Sequence, residues 1–173
     1  MPEVGDNPDL DPVPAGVAML RVIVASLHLI ALGLGLGAVL TRGNVLREAI
    51  TASSLRRAFR ADTLWGIAAV LWIATGLWRW FGGFEKGVPY YMHNTLFMAK
   101  MTFFLLILLI EIGPAITLVK WRMALLKKGL PPESVATPQA AKRIAMLSHV
   151  EALLVVLMVF AAAGMARGLG MGG

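Results

Sequence analysis

Residues 18–40 read AMLRVIVASLHLIALGLGLGAVL, and the only ionisable side chains in this run are Arg21 and His28. A helix needs about 20 mainly apolar residues to cross the roughly 30 Å hydrocarbon core of a bilayer. The run is long enough to do so, and no positively charged segment precedes it. We therefore expect it to be a membrane-spanning helix that stays as an anchor and is not removed as a signal peptide.

Three further runs of similar character follow at residues 61–80, 95–119 and 144–166. The 173-residue chain is 58% apolar and 15% charged, whereas soluble domains are about 45–50% apolar and about 25% charged. These values exclude a soluble domain and a disordered chain. They predict an all-α integral membrane protein, a four-helix bundle that forms one domain over residues 18–169. An acidic, proline-rich tail (1–17) precedes it and a glycine-rich tail (170–173) follows it.

The positive charges predict how the helices are oriented. Eleven of the sixteen Lys and Arg residues lie in the first and third connections between the predicted spans. They are Arg42, Arg47, Arg56, Arg57, Arg60, Lys120, Arg122, Lys127, Lys128, Lys142 and Arg143. Short loops rich in Lys and Arg face the cytoplasm, so we predict that both termini lie outside. The expected partners of these loops are the bilayer and its anionic headgroups, and nucleic acid is not expected.

Local signals indicate where two helices begin. Thr137 followed by Pro138 is typical of an N-cap with proline at the first helical position, and Ser54 is expected to cap the second helix. Gly33 and Gly37 form a GxxxG pattern, which is typical of helix packing. Gly168 and the residues after it are expected to form a frayed tail.

Ionisable side chains within the spans are the candidates for function, because each costs about 2.5–3.5 kcal/mol at the bilayer centre. His28 is about 15 Å deep, at a rise of about 1.5 Å per residue. Lys100 lies shallow on the outer side of the third helix, and Glu111 lies further along it. Glu111 and Glu151 are at similar estimated depths in the bilayer, so their carboxylates can approach each other and share a proton. His149 points away from Glu151, and Glu151 is predicted to face the interior.

His28 has small neighbours on its helix face, which leave room for a close helix or for a flat ligand. One hypothesis is haem b, with His28 as the axial ligand of the iron and Arg21 facing an anionic propionate. Lys100 is also predicted to contact the cofactor. Met158 is at the same estimated depth as His28 and is therefore a candidate for the second axial ligand. The alternative is a structural histidine that hydrogen-bonds across helices.

Two other functions stay open from the residues alone. A proton or solute pathway would use Glu111, Glu151, Lys100 and Asp62, and four spans would require a homo-oligomer to build it. A structural or assembly protein without catalysis would use the same charges to fix the helix register. Since the chain has no cysteine, disulfides, thiolate metal sites, covalently attached haem and a cysteine nucleophile are all excluded.

Most of the membrane portion resembles a known family. The stretches LHLIALGLGLGAVL, LRRAFRADTLWGIAAVLWIATGLWRWFGGFEKG, YYMHNTLFMAKM and LSHVEALLVVLMVFAAAGMARGLG are similar to the bacterial predicted membrane proteins grouped as domain of unknown function 2214, over roughly residues 18–169. The resemblance implies a multi-pass protein of the bacterial inner membrane and implies no activity.

A more distant resemblance is to the HemJ-type protoporphyrinogen oxidases and the related CopD-like four-helix proteins. The matching residues are Leu27 and His28 in the first helix, Arg56 and Arg57 before the second, Lys100 early in the third and Glu151 in the fourth. This resemblance implies haem b at His28. Where that family tends to have a histidine eleven residues after the lysine, this chain has Glu111, so porphyrinogen oxidation does not carry over.

Overall fold

A computed structural model describes residues 14–81 and 93–170. Within these ranges the chain is helical and contains no strand. The four long helices are α1 (Ala15–Val45), α2 (Ala52–Phe81), α3 (Thr95–Arg122) and α4 (Pro138–Ala166). A π-helical turn, Met123–Lys127, continues α3, and a short helical turn, Pro132–Val135, precedes α4. Each long helix has the length and apolar composition needed to cross a membrane, which confirms the predicted all-α membrane bundle.

Some predicted features lie outside the described residues. These are most of the acidic tail, the connection at residues 82–92, and residues 171–173. At one end of the bundle, here called the terminal end, α1 begins and α4 ends. At the other, called the basic end, residues 46–51 connect α1 to α2 and residues 123–137 connect α3 to α4. That the basic end faces the cytoplasm stays a prediction from its positive charges.

The interior is apolar over most of its length. α1 packs along α2 and α4, and α3 packs along α4. One core cluster lies at the basic end and includes Leu55, Leu118 and Ile144. A second lies further along the bundle and includes Val39 and Val155. Large apolar side chains also cover the outside of the bundle; examples are Leu29, Ile30, Val70, Leu109 and Phe160. A surface of this kind fits contact with lipid.

Side-chain caps define the helix starts at the basic end. Thr137 caps α4, as predicted, because the Ala140 N–H donates to Thr137 Oγ1 at 3.3 Å. The prediction that Ser54 caps α2 was wrong, since α2 already begins at Ala52. Thr51 and Ser54 instead cap each other: the Ser54 N–H donates to Thr51 Oγ1 at 3.1 Å and the Thr51 N–H donates to Ser54 Oγ at 2.9 Å. This reciprocal pair has the geometry of a capping box.

The chain after α4 folds back onto the start of α3. Asn94, which is buried and caps α3, donates its Nδ2–H to the Leu169 carbonyl at 3.0 Å, and the Thr95 N–H donates to the Gly170 carbonyl at 2.9 Å. Gly170 has a φ of 84°, and a Cβ on it would lie 2.7 Å from Asn94 Oδ1. Only glycine fits there. Gly168 to Gly170 are therefore attached to α3, in contrast to the frayed tail expected from sequence.

Glycine also allows α1 to approach α4 closely, at a position the sequence did not single out. A Cβ on Gly43 would lie 2.6 Å from Cε1 of His149 and 3.2 Å from Cβ of Ser148. A Cβ on Gly33 or Gly37 would meet no described atom within 4 Å. Among the described residues the GxxxG pattern is thus not a packing face, and the close contact lies about two to three turns further along α1.

We predict that Gly43→Ala lowers the stability of the bundle, because the added methyl group must push His149 and Ser148 away. Overpacking of this kind costs about 1–3 kcal/mol. Gly37→Ala is the matched control, and it should gain about 0.5–1 kcal/mol because alanine has the higher helix propensity. Thermal unfolding of the two variants in detergent measures the difference. Equal behaviour of the two variants would contradict the close contact between α1 and α4.

Candidate functional site

Arg42 lies in the last turn of α1, and its side chain is fully buried. The prediction that it belongs to a cytoplasmic loop was wrong, because α1 does not end near residue 40 but continues to Val45. A buried guanidinium requires anionic and hydrogen-bonding partners to offset the loss of water. Arg42 finds such partners on each of the other three long helices.

The hydrogen bonds of Arg42 form one network. Nε donates to Ser148 Oγ at 2.9 Å; Nη1 donates to Asp62 Oδ1 at 3.0 Å and to Glu111 Oε1 at 2.7 Å; Nη2 donates to Glu111 Oε2 at 2.8 Å and to Glu151 Oε2 at 2.6 Å. We call these five residues the Arg42 cluster. The bidentate pair with Glu111 has the fork geometry that makes Arg–carboxylate contacts strong and directional.

Each long helix contributes to the Arg42 cluster. Asp62 lies on α2, Glu111 on α3, and Ser148 and Glu151 on α4. The sequence correctly predicted that Glu151 faces the interior and that Glu111 and Glu151 lie at similar depth, since both bind the same nitrogen of Arg42. It did not predict that an arginine stands between them.

The surroundings of the three carboxylates differ. The side chain of Glu151 is 0% exposed, whereas those of Asp62 and Glu111 are 14% and 21% exposed. Asp62 also has a second cation, because Arg122 Nη2 lies 3.8 Å from Asp62 Oδ2. In the described part of the chain, no three His, Cys, Asp or Glu side chains are arranged to hold a metal ion.

His28 forms a separate polar site in the terminal half of the bundle. It is 6% exposed, stacks on Trp72 with ring centroids 5.4 Å apart, and places Nδ1 2.9 Å from Thr75 Oγ1. Thr75 Oγ1 also lies 2.7 Å from the Leu71 carbonyl, to which its hydroxyl can donate. When the hydroxyl hydrogen points to Leu71, Thr75 accepts from a protonated Nδ1 of His28, and Nε2 then holds the lone pair of the neutral imidazole.

A cavity of about 620 Å³ lies beside His28. Its volume is within the range of about 300–1,000 Å³ that is typical of ligand sites. Apolar side chains line most of it, including Leu32, Trp72 and Phe97, and its polar groups are few. A small residue keeps α2 close to the histidine: a Cβ on Gly76 would lie 3.2 Å from Cε1 of His28.

Three residues predicted for the cofactor site line this cavity together, namely His28, Lys100 and Met158. Arg21 lies almost two turns before His28 on α1 and is half-buried. The arginine that lines the cavity is Arg79. It was missed as a site residue, although it lies three residues after Gly76 on α2, which is the spacing of neighbours on one helix face.

An apolar layer separates the cavity from the Arg42 cluster. Val39, Trp65, Ile107 and Val155 belong to the core cluster between them. The layer contains a small cavity of about 60 Å³, whose lining is almost entirely apolar and includes Trp72 and Glu111. Apolar cavities stay dry. The two polar sites are thus distinct, and no polar route within the described residues joins them through this layer.

Comparison with known proteins places the chain without assigning an activity. A family model described as "Predicted membrane protein (DUF2214)" matches residues 20–170. No match was found among curated proteins or among solved structures.

We predict that Arg42→Met destabilises the protein strongly, because it leaves three carboxylates without their shared cation. Breaking a buried pair on one side costs about 3–5 kcal/mol. Arg57→Met is the control, since Arg57 and Glu48 form an ion pair that is about half exposed, and such pairs contribute about 0–1 kcal/mol. Thermal unfolding in detergent should separate the two variants. A similar, small loss in both would mean that Arg42 does not hold the cluster together.

Proposed function

We propose that this protein, which belongs to the DUF2214 family of predicted membrane proteins, binds haem b in the cavity beside His28. The observation that carries the proposal is the contact of His28 Nδ1 with Thr75 Oγ1 at 2.9 Å, made by a histidine that lines a ligand-sized cavity. With Nδ1 protonated, Nε2 would be the nitrogen that binds the iron.

The contacts of His28 are those expected of an axial ligand. Histidines that bind metals almost always donate their other ring N–H to a neighbouring acceptor, which fixes the tautomer and the orientation of the ring. Thr75 provides that acceptor. Trp72 stacks on the imidazole with an interplanar angle of 23° and restricts its rotation. In this proposal α2 therefore orients the histidine that α1 supplies.

The rest of the cavity fits the parts of a haem. Apolar walls suit the macrocycle, and Met158, which is buried and lines the cavity, would offer its thioether sulfur as a further ligand to the iron. Arg79 and Lys100 are the cations of the lining, and such cations pair well with carboxylates such as propionates. When bound, haem would supply one-electron chemistry whose potential depends on its axial ligands and burial.

The positive charges at the basic end indicate how the protein is oriented in the membrane. Arg56, Arg57, Arg60, Lys120, Lys127, Lys128, Lys142 and Arg143 are exposed at the basic end. We propose that this end lies on the cytoplasmic side of a bacterial inner membrane, where it contacts anionic headgroups. The haem cavity would then lie nearer the outer face.

A second candidate is a proton or solute pathway, which the carboxylates of the Arg42 cluster favour. The apolar layer between that cluster and the cavity speaks against a continuous route through one copy. A pathway would therefore have to run between several copies of the chain, as a homo-oligomer.

We predict a Soret absorption band in the protein purified in detergent after expression with an adequate haem supply. His28→Ala should lose the band, and Thr75→Val should lower haem affinity about 10–100-fold, because the residue that orients a ligand has been removed. His149→Ala is the matched histidine control and should keep the band. His149 is half-buried at the basic end, where Nε2 lies 3.2 Å from Asn44 Oδ1.

Two results would contradict haem binding at this site. One is the absence of a Soret band in the wild-type protein despite sufficient haem. The other is an unchanged band in His28→Ala.

A further inference from the structure

Glu151 has an unusual place in the Arg42 cluster. Its side chain is 0% exposed, and only one of its oxygens has a donor among the described residues: Oε2 accepts from Arg42 Nη2 at 2.6 Å. Oε1 is buried and accepts no hydrogen bond within residues 14–81 and 93–170. A buried carboxylate oxygen without a hydrogen-bond donor lowers the stability of the fold.

The neighbouring side chains have no donor left for Oε1. A guanidinium has five N–H groups, and Arg42 directs them to five acceptors. The Ser148 hydroxyl accepts from Arg42 and donates its hydrogen to the Ile144 carbonyl at 2.9 Å. A proton on Oε1 would remove the negative charge of the carboxylate, and a neutral buried oxygen costs far less to leave unpaired than a charged one.

The charges around Glu151 also favour a protonated Glu151. The groups that face it are Arg42 of α1, Asp62 of α2 and Glu111 of α3, while His149 on its own helix contacts Asn44 instead. Arg122 of α3 adds a second positive charge beside Asp62. Two cations balance Asp62 and Glu111, and an ionised Glu151 would leave one uncompensated negative charge. That charge would lie on the only carboxylate of the three that water does not reach.

We propose that Glu151 is a reversible proton-binding site within the membrane, with the proton on Oε1 and the Arg42 cluster as its counter-charge. With the proton bound, the Arg42 cluster and Arg122 together are electrically neutral. The proton reaches Glu151 by way of Glu111, which is partly exposed and shares Nη2 of Arg42 with Glu151. On the other side the apolar layer closes the site, so it exchanges protons with one side only. This site does not depend on haem.

Infrared spectroscopy of the full-length protein in lipid tests this site. At neutral pH, where ordinary carboxyl groups are ionised, the wild-type protein should show the C=O stretching band of a protonated carboxyl group. Glu151→Gln should lose that band. Glu133→Gln, at an exposed acid in the turn before α4, should keep it. Glu111→Gln should weaken or abolish the band at neutral pH, because with Glu111 neutral the two cations balance Asp62 and an ionised Glu151.

Three outcomes would overturn the proposal: no such band in the wild-type protein, a band that persists in Glu151→Gln, or a band that Glu111→Gln leaves unchanged. Failure of Glu151→Gln to fold would also count against it, because glutamine has the shape of a protonated glutamate and still offers Arg42 an acceptor. The infrared band of Glu151 does not require haem, and the Soret band does not require a protonated Glu151. Each proposal can therefore fail without the other.

Discussion

The ion-pair network of Arg42 is the constraint on which the arrangement of the four helices depends. One guanidinium at the end of α1 bonds to side chains of α2, α3 and α4 at 2.6–3.0 Å. Lipid is as apolar as the helix surfaces, so burial of leucine gives little preference for one helix partner over another inside a bilayer. Polar contacts with defined geometry do give such a preference. The Arg42 cluster therefore fixes which face of each helix turns inward and at what depth.

The terminal half of the bundle has a different character. There the helices enclose a cavity of about 620 Å³, and its polar groups face a mostly apolar space. The contrast supports a division of roles. In the two proposals, the cluster near the basic end organises the bundle and would hold a proton, whereas the cavity at the terminal end would hold a ligand. The apolar layer between them would keep the protons of the first site away from the second.

The sequence predicted the fold well because spanning a membrane requires long apolar runs, and these are visible directly. It also predicted which side of α4 is buried, since His149 and Glu151 are two residues apart and cannot both face inward. It matched Met158 to His28 by depth, and both line one cavity, together with Lys100, which the sequence placed nearer the outer surface.

Other features were not readable from the chain. Arg42 was assigned to a loop because positive charges near the end of an apolar run normally mark topology, and only the extension of α1 to Val45 makes it an interior residue. The cap at Thr51 and the contact of Gly170 with Asn94 depend on chain segments that meet in space. Arg79 was overlooked because the depth of a residue does not tell which side of its helix faces the cavity.

A double-mutant cycle of Arg42→Met and Glu111→Leu, measured as unfolding free energy in detergent, tests the central role of the buried ion pair. If the two side chains pair inside the bundle, the double variant will be less destabilised than the sum of the single variants, by about 0.5–3 kcal/mol. Losses that add within about 0.3–0.5 kcal/mol would show that the two residues do not interact. They would contradict the interior position of Arg42.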